Sequence, residues 1–100
     1  MLQHCVFLKF RADTKDAHVA DFCTRLLALG GAIDGIRHLE IGRDELHDAR
    51  SWDLVLIMAF ESVDALREYQ RHPLHLALMA FNEPYLANVA SVDFTRGDQR

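Results

Sequence analysis

The chain has 100 residues, of which 50% are hydrophobic and 26% charged, and its formal net charge is -4. That length suffices for one domain and not for two, so residues 1–100 read as a single unit. The acidic balance and scattered arginines exclude the basic stripe of a nucleic-acid-binding surface, and Gln3, His4 and Lys9 interrupt the apolar opening, which therefore reads as neither signal peptide nor membrane span.

The first predicted strand covers residues 4–10. Its alternation puts His4, Val6, Leu8 and Phe10 on one face and Cys5, Phe7 and Lys9 on the other. Cys5 and Cys23 match neither a disulfide framework nor a metal spacing, and they read as two buried, reduced thiols of a cytoplasmic protein. A turn at residues 11–14 leads into a helix that Asp13 or Thr14 can cap, because a short side-chain oxygen accepts an orphan backbone N–H. Val19, Phe22, Cys23, Leu26 and Leu27 recur at helical spacing, with His18 on the polar flank, and Gly30 and Gly31 are predicted to end the helix.

The second strand is predicted over residues 36–42. The polar connection at 43–51 carries Asp44, Glu45, His47, Asp48 and Arg50. Its default reading is a solvated connection, and because it is long for a hairpin it also suits a lid or an oligomer contact. His38 and His47 read as solvent-facing or sheet-edge residues. The third strand, residues 52–60, has Trp52, Leu54, Leu56, Met58 and Phe60 on one face and Val55, Ile57 and Ala59 on the other. A strand apolar on both faces needs cover on both.

Ser62 is a good helix N-cap, and Val63, Leu66 and Tyr69 begin the next buried stripe. Pro73 lacks an N–H and restricts His72, so it interrupts that helix, yet it suits the first position of a new one. Leu74, Ala77, Leu78 and Phe81 give the new segment an apolar face, Asn82 and Pro84 mark a further break, and a last strand covers residues 89–95. The order is β-α-β-β-α-β, the split βαβ pattern of a ferredoxin-like α+β fold: a four-stranded antiparallel sheet with the helices on one face. The uncovered face would hold Phe7, Val55, Ile57, Ala59 and Val89, which predicts a homodimer in which two sheets face each other.

Several segments resemble the stress-responsive A/B barrel (Dabb) family of the dimeric α+β barrel superfamily. They are Gln3-His4-Cys5-Val6-Phe7-Leu8-Lys9-Phe10, Trp52-Asp53-Leu54-Val55-Leu56 followed by Phe60-Glu61-Ser62, and Val92-Asp93-Phe94. The most specific match is Tyr69-Gln70-Arg71-His72-Pro73-Leu74-His75, which resembles that family's tyrosine and His-Pro-x-His motif. The resemblance spans nearly the whole chain and implies a dimeric barrel. It includes a distant similarity to olivetolic acid cyclase, a plant member that closes a linear polyketide by aldol chemistry without a cofactor. Through that similarity His75 and Tyr69 correspond to the catalytic pair and His4 to a further pocket histidine. Asp93 is a family-like residue with a structural role implied.

The residues support the same chemistry by themselves. His4 lies on the strand face that meets the helices, Tyr69 on the apolar side of one helix, and His75 beyond the Pro73 break. A neutral imidazole can remove an acidic C–H proton near neutral pH, and a tyrosine hydroxyl can hydrogen-bond the carbonyl or enolate oxygen as charge develops. His72 is the remaining candidate for substrate contact, although its position beside Pro73 also suits a helix-junction cap. A purely structural role for His4, Tyr69 and His75 competes with the catalytic one, since buried polar groups often serve local hydrogen bonding. No metal site is assigned: Pro73 breaks the His-x-x-His geometry, no carboxylate or thiolate accompanies it, and zinc takes three or four ligands. No cofactor is assigned either. The expected functions are a cofactor-independent lyase or cyclase acting on a keto or polyketide-like compound, a non-enzymatic oligomeric protein that binds small hydrophobic or aromatic molecules, and a cofactor-free monooxygenase of the same superfamily.

Overall fold

The structure, a computed structural model, describes residues 1–97. Strand β1 (Leu2–Phe10) leads to helix α1 (Asp16–Ala32), then to β2 (His38–Arg43) and β3 (Leu54–Phe60). Helices α2 (Val63–Arg71) and α3 (Pro73–Asn82) follow, then a 3₁₀ turn (Glu83–Tyr85) and strand β4 (Leu86–Thr95). The sheet is antiparallel throughout, in the order β2-β3-β1-β4. This is the expected ferredoxin-like arrangement, with the helix pair split at Pro73.

Register determines which side chains face the helices. In β1 the even residues point inward: Leu2, His4, Leu8 and Phe10 are buried, and His4 lies opposite Met58 on β3 and Asp93 on β4. The core between sheet and helices is built around Phe22, Leu26, Met58 and Phe60, each at most 1% exposed. Aromatic side chains of that size give the largest apolar burial per residue and anchor α1 and α2 on the sheet.

Ser62 caps α2 as expected, its hydroxyl accepting from the Ala65 N–H at 3.1 Å. His72 is the junction residue. Its Nδ1 accepts from the Leu74 N–H at 3.1 Å, and with Pro73 at the first position the second helix starts without an orphaned donor there.

Several expectations are corrected. Helix α1 starts at Asp16 behind Lys15, without a side-chain cap from Asp13 or Thr14, and it runs through Gly30 and Gly31 to Ala32. Gly30 faces β2 from within the helix, where a Cβ would meet Leu39 Cδ2 at 3.4 Å. The left-handed residue is Gly35, φ +99°, one turn later. Val63, Leu74 and Ala77 are exposed, and the inward stripe of α3 is His75, Leu78, Met79 and Asn82, at i, i+3, i+4 and i+7. Trp52 precedes β3, so strand parity does not apply to it; its ring packs on Phe7, on the outer side of the sheet. Val89 pairs with Leu8 and therefore faces inward, and Val92 and Phe94 take its place on the outer face. Cys5 and Cys23 are free and half-buried rather than buried.

The connection at residues 43–51 is folded on itself. Asp44 Oδ2 accepts the His47 N–H at 2.7 Å, which holds His47 at φ 55°, and Ser51 Oγ accepts the Asp48 N–H at 3.0 Å. Asp53 then ties the segment to β1, accepting the Phe10 N–H at 2.7 Å.

Candidate active site

The three polar groups singled out by the sequence meet in one place. Tyr69 is on the buried side of α2, 2% exposed, and His75 opens the inward stripe of α3. The turn at His72 and Pro73 folds the two helices so that the Tyr69 and His75 rings lie 4.4 Å apart, centroid to centroid. His4 approaches from β1, its ring edge-on to Tyr69 at 6.5 Å and to Phe60 at 6.4 Å.

Each ring is held by a second group. His75 Nδ1 donates to the Gln70 carbonyl at 3.1 Å, and in the neutral tautomer this leaves Nε2 bare as an acceptor. His4 Nδ1 donates to Asp93 Oδ1 across the β1–β4 pair, so Asp93 fixes the orientation of His4.

Burial sets the protonation of the pair. Desolvation lowers the His75 pKa below its usual 6.5; the Gln70 carbonyl opposes that shift and His4 adds to it. Desolvation pushes the Tyr69 hydroxyl up to about 12, so it remains a hydrogen-bond donor through the physiological range. The site thus combines a neutral imidazole with a protonated phenol.

These groups line a cavity of about 90 Å³. Its walls are otherwise apolar, from Leu8, Phe22, Leu26, Leu56 and Met79, and Asn82 is the fourth polar side chain in the lining. Half-buried Leu86 and exposed Val89 bring it to the surface beside β4. His72 does not line it, because its ring is committed to the Leu74 N–H. None of the residues 43–51 lines it either.

Sequence reasoning missed Asn82 and the residue that holds it. Asn82 is 1% exposed, and its Oδ1 accepts from His18 Nε2 at 2.8 Å. His18 is sandwiched between Tyr85, at 3.6 Å, and Phe81, at 4.9 Å. The available signal was a histidine one residue from the apolar stripe of α1 and two aromatics flanking the Asn82 break.

A larger, more open depression of about 430 Å³ lies near the far end of β1, bordered by Lys9, Arg11, Arg43, Asp16, Asp44 and Asp53. Four of its charges are paired, Arg43 with Asp16 at 2.6 Å and Lys9 with Asp53 at 3.9 Å. Among the described residues no group of three or more His, Cys, Asp or Glu side chains is placed to hold a metal ion. Among those residues, too, no helix is long and apolar enough to cross a membrane.

The stress responsive A/B barrel domain model matches residues 2–96. A stress-response A/B barrel domain-containing protein of Arabidopsis thaliana is 30% identical over 95 residues, covering 92% of this chain and 83% of its own length. Among solved structures, a dimeric ferredoxin-like protein from Thermobifida fusca has a TM-score of 0.85 at 26% identity, covering 95% of this chain and 90% of that one. A hydroxynitrile lyase from Passiflora edulis has a TM-score of 0.87 at 13% identity, covering 99% of this chain and 95% of that one, a likeness of fold alone.

Proposed function

Because the chain belongs to the stress responsive A/B barrel domain family, and its cavity holds a bare imidazole nitrogen beside a protonated phenol, we propose that it is a cofactor-independent lyase or cyclase acting on a small keto compound. The observation that carries the reading is the tie from His75 Nδ1 to the Gln70 carbonyl, with Tyr69 4.4 Å away in an apolar surround.

His75 Nε2 takes a proton from the carbon beside a carbonyl. The electron pair of that C–H bond becomes the C=C bond of an enolate, whose oxygen accepts a hydrogen bond from the Tyr69 hydroxyl. For ring closure the enolate carbon bonds to a second carbonyl carbon of the same molecule, and the imidazolium returns its proton to that oxygen. Atoms and charge balance within the substrate. His4, oriented by Asp93, supplies a further polar contact in the pocket. The Passiflora lyase is an example of the fold carrying lyase chemistry.

The functional unit is a homodimer formed through the outer sheet face. Phe7, Val55, Ile57, Val92 and Phe94 share that face, with Val92 58% and Phe94 45% exposed. Two neighbours at 26% identity are dimeric, which supports a dimer for this chain.

One observation favours a second reading, a non-enzymatic oligomer that holds a small apolar molecule. Eight of the twelve residues that line the cavity are apolar, the composition of a site for a small hydrophobic molecule.

A thermal-shift screen of wild type and His75→Ala against small β-keto acids, phenols and resorcinol-type aromatics tests the site. A ligand that stabilises wild type and not the variant supports it. Stabilisation that is equal in both removes His75 from the site, and a bound compound recovered unaltered by mass spectrometry favours the second reading.

A further inference from the structure

Asn82 presents a buried polar group that the folded chain leaves incomplete. Its side-chain oxygen is taken by His18, while its Nδ2, among the described residues, has no hydrogen-bond partner. The residue is 1% exposed and lines the same cavity as Tyr69 and His75. Buried amide donors are almost always satisfied, so an unpaired one on a residue of the cavity lining marks where a ligand's acceptor would complete the bonding.

The amide is also held. An Asn side chain free to rotate would present oxygen or nitrogen to the cavity alternately. His18, which does not line the cavity, donates Nε2–H to Oδ1 at 2.8 Å and so holds the oxygen on its own side, and the rings of Phe81 and Tyr85 stack on His18. His75 and Asn82 are seven residues apart on α3, two turns on one face, about 10 Å along the axis before their side chains converge.

We infer that the Asn82 Nδ2 is a recognition donor for an acceptor oxygen at the end of the ligand remote from His75, and that His18 is the positioning residue that orients it. The ligand class is thereby narrowed to small molecules with two oxygen sites: a carbonyl at the Tyr69/His75 end and a second carbonyl or ester oxygen toward Asn82. This rests on the keto-ligand reading above and specifies its substrate.

The test is a protein-observed ¹H–¹⁵N NMR titration of the full chain with methyl acetoacetate, and with 2-hexanone, which has one carbonyl only. The expected result is that methyl acetoacetate shifts the Asn82 side-chain amide signal and binds about fivefold more tightly than 2-hexanone, the factor one hydrogen bond gives. That preference disappears in Asn82→Leu. His18→Phe, which keeps a stacking ring, loses the preference, and His18→Gln, which keeps a donor, restores it. Shifts at Tyr69 and His75 with no response at Asn82, or an unchanged preference in Asn82→Leu, overturn the inference and leave the proposed function standing. Neither probe shifting any cavity residue overturns both.

Discussion

The rings of Tyr69 and His75 lie 4.4 Å apart although Pro73 places them on separate helices. The proline turns the chain so that the last buried residue of α2 and the first inward residue of α3 share one cavity wall, and the His72 cap secures the turn. The motif that separates the two helices therefore also assembles the pair, and the consequences can be measured.

Tyr69→Phe keeps the buried ring and removes only the hydroxyl. Turnover of a keto substrate should fall by about 100-fold, the size of losing one donor to a developing oxyanion, with little change in Tm. Steady-state kinetics and a melting curve check this; a Tm loss without a kinetic loss would assign Tyr69 to packing.

The lowered pKa of His75 sets a pH dependence. The neutral ring is the base, so activity should rise with pH to a plateau whose midpoint lies below 6.5. Stability follows the same sign. As pH falls through 6.5 the unfolded chain protonates first, so the contribution of the buried neutral ring is full above 6.5 and is lost as pH falls through the folded value. Tyr69 acts at the other extreme: its folded pKa of about 12 exceeds the unfolded 10, so its contribution is full below 10 and is lost as pH rises through 12. Melting temperature against pH reads both, with His75→Phe as the comparison for the first and Tyr69→Phe for the second.

Asp93→Asn weakens the hold on His4 without changing side-chain size. A charge-assisted bond of this kind contributes about 1.5–3 kcal/mol, and with partial exposure of Asp93 the lower end, a drop in Tm of several degrees, is expected. Calorimetry checks it, and an unchanged Tm would show that His4 is oriented by its other neighbours.

Val92→Glu introduces a charge in the middle of the outer apolar face. Sedimentation should find wild type at about twice 11.4 kDa and the variant at 11.4 kDa. A monomeric wild type at micromolar concentration contradicts the sheet-face dimer.

The fold was legible because the two faces of residues 54–60 and the serine and proline punctuation at Ser62 and Pro73 agree with one topology. The face assignment of β1 followed from alternation alone, which correctly turned His4 inward. Alternation failed at Trp52 because the strand begins two residues later, and at Val89 because that residue's face is set by its pairing with Leu8. Gly30 and Gly31 misled because a glycine inside a helix does not by itself end it: Gly30 sits over Leu39 of β2 and Gly31 faces open space, and the left-handed turn comes at Gly35. The Tyr69, His75 and His4 convergence was legible from residue type and face. The Asn82–His18 contact was not: it joins residues 64 apart, and an asparagine at a helix end ordinarily reads as a terminator.

The central claim is that His75 takes a proton from carbon. Deuterium exchange at the α-carbon of methyl acetoacetate in D₂O, followed by proton NMR, measures this without the natural substrate. Wild type should accelerate exchange over the same buffer, and His75→Phe should lose that acceleration while keeping its melting transition. Equal exchange with wild type, folded His75→Phe and buffer would contradict the account.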